Sequence, residues 1–588
     1  MRLLVSLGLA IPLAAQVPAF PGAEGAGALA SGGRGGRVHY VDNLNASGPG
    51  SFADAVSGPS RIVLFRVSGI IDFGGKSIRV DHPGITIAGH TAPGEGICLR
   101  NGSLHITASN VIVRHLRSRR GFIRKGNMGD AITAKSPDQR DVILDHVSAS
   151  WATDENLTVT NGQNITVQYS ISSEALDYFN FNQTPPRHAF GSLFGSQTPD
   201  GRMTIHHSLY AHNRLRNPRT TGGELGVPLL DFRNNVIYDA KELTSHTGSQ
   251  TIHANWVANY LKDGPSTGKE GHDIKGVLFT FAAGADHRLY LSGNHIEGYP
   301  DRTADNWLAT RVQKSSTFQR VEHPFPTPNV TTGTALEALR AVLDDAGCTL
   351  PSRDAVDQRI INDVRHGTGA VINFETDLDS GARWPEYASL DAPRDADDDG
   401  LPDAWEEYWK LEKANEDADG DGYTNIEEYL NNTNPRGNTK PVVFVSAIHS
   451  RAYRGDGTPG MFRVHRSGPL GEPLEVRVAV DGVEHTITMP AGVQWVQVEA
   501  KPVATRSHSV IKPLPHSSYA VGVPAAAMVV MDGGTPPPSA RFEAIDPKGA
   551  PDEEDLRRSK KVLEDHQPKR REKIRNREEV KQKARKKQ

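Results

Sequence analysis

Cysteine is nearly missing from this chain. Cys98 and Cys348 are its 2 cysteines in 588 residues, too far apart to form a disulfide framework. Cys98, inside the apolar run GICLR, reads as a buried small hydrophobe. Net charge is also scarce, at -4, so nothing overall points to a nucleic-acid partner. Long apolar runs are absent beyond the N-terminus, and no membrane span is expected in the mature protein. The exception is 1–15, MRLLVSLGLAIPLAA, with one basic residue, an apolar stretch and small residues before Gln16. That is the pattern of a secretory signal, which predicts export to the periplasm or exterior.

What the chain does have is repetition. VIVRHL (from Val111), VILDHV (Val142), ITVQYS (Ile165), MTIHHS (Met203), LLDFRN (Leu229), TIHANW (Thr251) and LYLSGN (Leu289) mostly read apolar, any, apolar, then polar. Their starts recur at roughly 20 to 40 residues, whereas sandwich strands recur at roughly 8 to 12. Such a segment cannot bury its apolar face alone, so coils must stack into a solenoid, with longer gaps thrown out as loops on one side. The glycine-rich stretch from Phe20 to Val56 reads as turns, because GGRGG lacks the lysine and the strand-turn-helix setting of a phosphate loop.

From Ala335 the periodicity changes. ALEALRAVLDDAG and AVDQRIINDVRHG place apolar residues three and four apart, as amphipathic helices do, and are expected to cover an open solenoid end. Asp395 to Glu406 and Asp417 to Glu428 each satisfy D-x-D-x-D-G-x5-E. Asp395, Asp397, Asp399 and Glu406, then Asp417, Asp419, Asp421 and Glu428, supply the acidic oxygens that a calcium ion requires, with a glycine at the turn. A calcium pair there would stiffen an interdomain junction, against the plainer reading of an acidic solvated linker. Alternating strands broken by Gly and Pro then suggest a small β-sandwich. The end of the chain is densely charged, with a basic excess in KRREK and KARKK. It reads as a disordered or solvated tail, with binding of an acidic polymer as the alternative.

Along the solenoid the groups able to do chemistry are Asp130, Asp145, His146, Asp154, Glu155, His188, His206, His207, Arg214, Arg216 and Arg219. Stacked coils bring carboxylates distant in sequence to about 4.8 Å spacing, close enough to share a cation. An arginine beside them can hold a uronate carboxylate through two contacts. The plainer reading is that most Asp, Asn and His at coil bends cap turns, Asp145 and Asn234 included.

The ordered motifs FPGAEGAGALASGGRGG, NLNASGPGSFADAV, ITIAGHTAPGEGI, VIVRHLRSR, GDAI, VILDHVSASWATDENLTV, HHSLYAHNRLRNPR, DFRNNVIY and CTLPSRDAVDQRIINDVRHGTG cover about Phe20 to Gly369. Over that span the chain resembles polysaccharide lyase family 1, the pectate lyases. The resemblance implies a right-handed parallel β-helix and calcium-dependent β-elimination on polygalacturonate or a related acidic polysaccharide. By the same resemblance Arg216, in RNP, takes the proton from C5 of the uronate, and Asp130, Asp154 and Glu155 hold Ca2+. Arg219, His188 and His207 are assigned to substrate contact. The segment GMFRVHRSGP, MPAGVQWVQVEAKPV and YAVGVPAAAMVVMDGG resembles Calx-β domains. The expected organisation is therefore all-β: signal peptide 1–15, β-helix with a helical end segment 16–378, tandem EF-hand-like calcium segment 390–437, Calx-β-like sandwich 438–536 and charged tail 540–588. A monomer is expected.

Three departures from the family pattern stand out. Met128 occupies the place of a further aspartate, Asp154 and Glu155 are adjacent instead of four apart, and Thr221 replaces a second arginine, for which Arg219 is the candidate substitute. A guanidinium base is also unusual, since its pKa ordinarily lies above about 12. The competing readings are a β-helix glycoside hydrolase, which pairs carboxylates about 5 to 10 Å apart, and a non-catalytic carbohydrate-binding surface protein.

Overall fold

The computed structural model describes residues 16–536, apart from 124–126, 178–186, 197, 199–200, 223–227, 283–285, 314–315, 379–383 and 438. The expected signal at 1–15 and the tail at 540–588 lie outside the described residues.

Each repeat supplies a strand that pairs in parallel with its counterpart in the next coil. One coil shows the plan: Arg140–Asp145 in a first sheet, Ser148–Ser150 in a second, Glu155–Thr160 in a third, and Gln163–Gln168 back in the first. Repetition builds three parallel sheets of 11, 9 and 9 strands, a β-solenoid. Alternate residues of the first sheet face inward and pair by register: Val142 with Ile165, Ile165 with Met203, Met203 with Leu230, Leu230 with Ala254, Ala254 with Leu289. All are in one continuous core, where each large aliphatic side chain contributes roughly 1.5 to 3 kcal/mol by leaving water. Two of the sequence repeats are out of register. Leu230, not Leu229, is the partner of Met203, and Ala254, not Thr251, is the partner of Leu230.

The corner between first and second sheets is two residues long, and its first residue turns the chain with positive φ. His115, His146, Tyr169, His207, Asn234 and Ala258 lie between 46° and 53°. Their equivalence stacks the rings along the solenoid axis: His115 on His146 at 4.6 Å, His146 on Tyr169 at 5.1 Å, Tyr169 on His207 at 4.8 Å. The second corner position carries an amide ladder in the later coils, in which Asn259 donates to Asn294 at 2.8 Å and Asn294 to Asn306 at 3.0 Å.

The helices Ala335–Asp345 and Ala355–His366 do not cover an end. Val342, Ile360, Ile361 and Val364 pack on Ile171, Leu209, Val236 and Tyr238, on the outer flank of the second sheet. That flank carries apolar side chains outward as well as inward, and so has to be covered. The N-terminal end of the core is closed instead by the short helix Phe52–Ala55, whose Phe52 is fully buried against Phe65.

Beyond the solenoid, helices Asp403–Trp409 and Asn425–Asn431 follow the two acidic loops. Their Trp405, Ile426 and Leu430 fill the space between Ile62 and Leu64 of the first sheet and Val442 and Val523 further on. Sheets of four and five strands then enclose a separate core that includes Val445, Phe462, Val476 and Val529, forming a sandwich. It is joined to the solenoid by Arg451 on Glu95 at 2.5 Å, by an Arg463–Asp344 ion pair and by a bridge between Ser352 and Ala447. Among the described residues no helix is long and apolar enough to cross a membrane.

Candidate active site

The third sheet faces outward into a groove of about 870 Å³, whose lining includes Arg120, Asp130, Asp154, Glu155, His188, Phe190 and Arg216. The placement follows from the coil plan. Asp130, Asp154 and Arg216 stand just before the third-sheet strands Ile132–Lys135, Glu155–Thr160 and Arg219–Thr221, and Glu155 begins the second of these. With Phe190–Gly195 between, these are four consecutive rungs, so residues 86 positions apart come to one face.

Asp130, Asp154 and Glu155 each bring one oxygen to a cluster in which all three lie within 4.8 Å of one another. Thr133 donates to Asp130 at 2.8 Å, the Glu155 backbone N–H donates to it at 3.2 Å, and His188 Nε2 lies 2.8 Å from Asp154 Oδ1. Burial and the charge of Asp154 push Asp130 up to about 6. Three convergent carboxylates that repel one another are a donor set suited to a hard, oxygen-preferring cation.

Arg216 has a positive φ of 65°. Its guanidinium carbon lies over Phe190, 3.6 Å from the ring centroid, and the group pairs with Glu155. Burial and the neighbouring Arg219 push Arg216 down to about 10, while Asp154 and Asp130 favour its charged form. The shift moves the guanidinium toward the range where it can exchange a proton. Arg219 opens the next strand, partly buried, and burial lowers it too.

The sequence candidates divide accordingly. Asp130, Asp154, Glu155, His188 and Arg216 meet in the groove. His207 does not, which corrects its assignment to substrate contact. It is the corner residue between first and second sheets, buried, stacked on Tyr169, and joined to His206 with 2.8 Å between their Nδ1 atoms. Asp145 and His146 belong to the same corner. Arg214 is held in an ionic network by Asp177 at 3.1 Å and Glu242 at 2.7 Å. Two groove residues escaped sequence reasoning, Phe190 and Arg120. An aromatic directly after His188–Ala189 and the third arginine, closing RSRR, were the signals available for them.

The acidic loops form two further clusters, Asp395, Asp397 and Asp399, and Asp417, Asp419 and Asp421, each with oxygens within 4.8 Å. The sixth-position glycines Gly400 and Gly422 turn at φ of 103° and 102°, which only glycine adopts freely. Burial and the charges of Asp399, Asp397 and Asp395 push Glu406 up to about 7. Burial and Asp419, Asp421 and Asp417 push Glu428 up to about 8, and its Oε2 is buried with no hydrogen-bond partner. An orphaned buried carboxylate oxygen beside three carboxylates fits a divalent cation better than a solvated linker.

No family model matches the chain. A protein of Aspergillus fumigatus named probable pectate lyase C is 33% identical over 449 residues, covering 74% of this chain and 98% of that protein. A protein of the same name from Emericella nidulans is 34% identical over 441 residues, with 71% and 93% coverage. A solved mutant pectate lyase of Bacillus subtilis aligns with a TM-score of 0.36 and 14% identity, over 55% of this chain and 96% of that one.

Proposed function

The chain belongs to the pectate lyases, being 33% identical to one such protein across 98% of its length, and from that premise we propose that it cleaves polygalacturonate by calcium-dependent β-elimination. The observation that carries the proposal is the meeting of Arg216 with Asp130, Asp154 and Glu155 on four consecutive rungs of one groove.

Asp130, Asp154 and Glu155 would hold the ion. Calcium, when bound, would withdraw electron density from the substrate carboxylate and make the C5 proton more acidic. Arg216 accepts that proton in its neutral guanidine form, so it must first have given up its own proton to solvent. The C5–H electron pair becomes the C4–C5 double bond, the C4–O bond breaks, and the departing oxygen leaves with its electron pair and is then protonated. Contact with the Phe190 ring and the ion pair with Glu155 hold the guanidinium in place, so little freedom is lost when it meets the proton. His188 orients Asp154, and Arg219 keeps Arg216 from holding its own proton tightly.

The hydrolase alternative is less well supported. It needs two carboxyl groups in separate acid and base or nucleophile roles, whereas three groove carboxylates converge with oxygens within 4.8 Å of one another, the arrangement of a shared cation site. The proposal includes export, on the strength of the N-terminal apolar segment, and calcium in both acidic loops as cement between solenoid and sandwich. The test is incubation with polygalacturonate while ultraviolet absorbance is followed, with and without a chelator. An absorbing unsaturated product that vanishes on chelation and returns with calcium is expected. Cleavage without new absorbance would overturn elimination in favour of hydrolysis, and binding without cleavage would favour the non-catalytic reading.

A further inference from the structure

Buried guanidiniums elsewhere in the solenoid are matched by anions. Arg117 and Arg119 face Asp354, Arg214 faces Asp177, and Arg359 faces Glu174, all within 3.4 Å. Arg353 spends its donors on three backbone carbonyls. Arg120 is different. It is 3% exposed and lines the groove, yet its hydrogen bonds go to neutral side-chain oxygens: Thr153 at 2.8 Å, Asn127 at 2.6 Å and, more weakly, Ser103 at 3.4 Å. Among the described residues no carboxylate pairs with it. A guanidinium offers five N–H donors, so each terminal nitrogen keeps one that these bonds do not use.

The pocket is shaped around this side chain. A Cβ added at Gly129 would lie 2.9 Å from Arg120 Nε, so the backbone beside Asp130 has to be glycine for the guanidinium to lie where it does. Asp130 and Asp154 act on it through space, but a cation shared among three carboxylates would screen that attraction and leave Arg120 facing the groove without a counter-charge. Burying a cation without a partner costs several kcal/mol by general estimates. A planar fork with free donors in a polar groove matches an anion with two oxygens to offer, and on an acidic polysaccharide of uronate units that anion is the carboxylate.

We propose that Arg120 is a substrate-binding residue that receives the free carboxylate of a uronate unit next to the one being cleaved, and so makes the groove select free acid over methyl ester. The inference rests on the reading of the groove as a site for an acidic polymer. Arg120 lies in the same coil as Asp130, one coil before Asp154 and three before Arg216 in rung order. It therefore contacts a neighbouring sugar, not the reacting carbon. The alternative is an internal role, in which Arg120 offsets the acidic cluster and never meets substrate.

Calorimetric binding of tetragalacturonate and of its methyl ester to the full chain separates these, with calcium present and the Arg216→Ala background used to prevent turnover. Arg120→Gln is expected to weaken the free acid about tenfold, the cost of roughly one charge-assisted contact, while the ester is unchanged. Arg120→Lys, which keeps the charge but not the fork, should recover part of the loss. Equal weakening of both oligomers, no change in either, or tighter calcium binding without a change in sugar preference would each overturn the inference alone. If the parent protein bound neither oligomer, the acidic-polymer reading would fall as well. Thermal unfolding of Arg120→Gln and Arg120→Lys guards against misfolding. Should the Gln variant fail to fold, the acid-to-ester ratio of the Lys variant still decides the matter.

Discussion

Two regions of the solenoid are built from the same residue types and end in opposite electrostatic states. At the corner between first and second sheets every charge is matched. Asp145 accepts from Arg114 at 2.9 Å and Gln168 at 2.8 Å, and His146 bridges Asp145 at 2.8 Å and Asp345 at 3.3 Å. Burial opposes these charges, but His146 and Arg114 outweigh it and hold Asp145 well below the usual carboxylate range, while Asp145 and Asp345 hold His146 up to about 10. In the groove the shifts run the other way. Asp130 is pushed up to about 6 and Arg216 down to about 10. Matched charges stabilise the fold, while mismatched ones store a cost that a cation or a proton transfer can relieve.

The largest expected effect is on activity. Arg216→Ala should lower the rate of unsaturated-product formation about a thousandfold, as loss of a positioned proton acceptor does, without lowering the thermal unfolding midpoint. A variant that kept its rate would show that the mismatch in the groove is incidental.

Next in size is a stability effect at the corner. His146→Ala removes the partner that Asp145 and Asp345 share, but Asp145 keeps Arg114 and Asp345 is half exposed, so the cost should be about 2 kcal/mol, read by denaturant unfolding, with the rate per folded molecule unchanged. This contribution depends on pH. His146 is held up to about 10 in the fold against an ordinary 6.5, so its stabilisation is complete below about pH 6.5 and is lost as pH rises toward 10. The gap in unfolding midpoint between the parent and His146→Gln should narrow steadily across that window. A gap that widened would mean the imidazole is neutral in the fold.

Asp130→Asn probes the groove from the other side. Its folded-state pKa of about 6 lies above the ordinary 3.8, so ionisation costs the chelated protein stability as pH rises from about 4 through 6. At neutral pH the amide should therefore raise metal-free stability by about 1 kcal/mol and reduce the further gain on adding calcium. Equal calcium gains in both proteins would place the relevant ion in the acidic loops alone.

Much of this architecture was legible in the sequence, and the failures have physical causes. The repeats gave the solenoid, because one inward apolar face per coil leaves a periodic trace. Register slipped where that trace is ambiguous. Leu229 and Leu230 are adjacent apolar candidates, and Ile252 just before the strand His253–Val257 is buried like its Ala254 and Trp256, so three alternate positions are inward where two were looked for. The helices 335–345 and 355–366 were recognised by period, but an amphipathic face does not say which surface it covers. Asp130, Asp154, Glu155 and Arg216 were found through motifs that precede third-sheet strands. Phe190 and Arg120 were not, because the loops between second and third sheets vary in length and sequence spacing loses its meaning there. His207 was misplaced for a different reason, since a His-His doublet shortly before the RNP segment looks functional until the coil plan puts it on another corner.

That misplacement yields the smallest and most discriminating test. Burial pushes His207 down to about 4, so its ring is neutral at ordinary pH and contributes stacking on Tyr169 and a contact with His206. In the next coil the same corner position, with nearly the same φ, is occupied by Asn234, a residue that tolerates the left-handed turn well. His207→Asn should therefore keep the turn and lose only the ring stack, at a cost of about 1 kcal/mol or less. The Michaelis constant for polygalacturonate should not move, because the corner lies away from the groove. A raised Michaelis constant with an unchanged unfolding midpoint would return His207 to the substrate. It would also imply that the polymer wraps around the solenoid instead of lying along the third sheet.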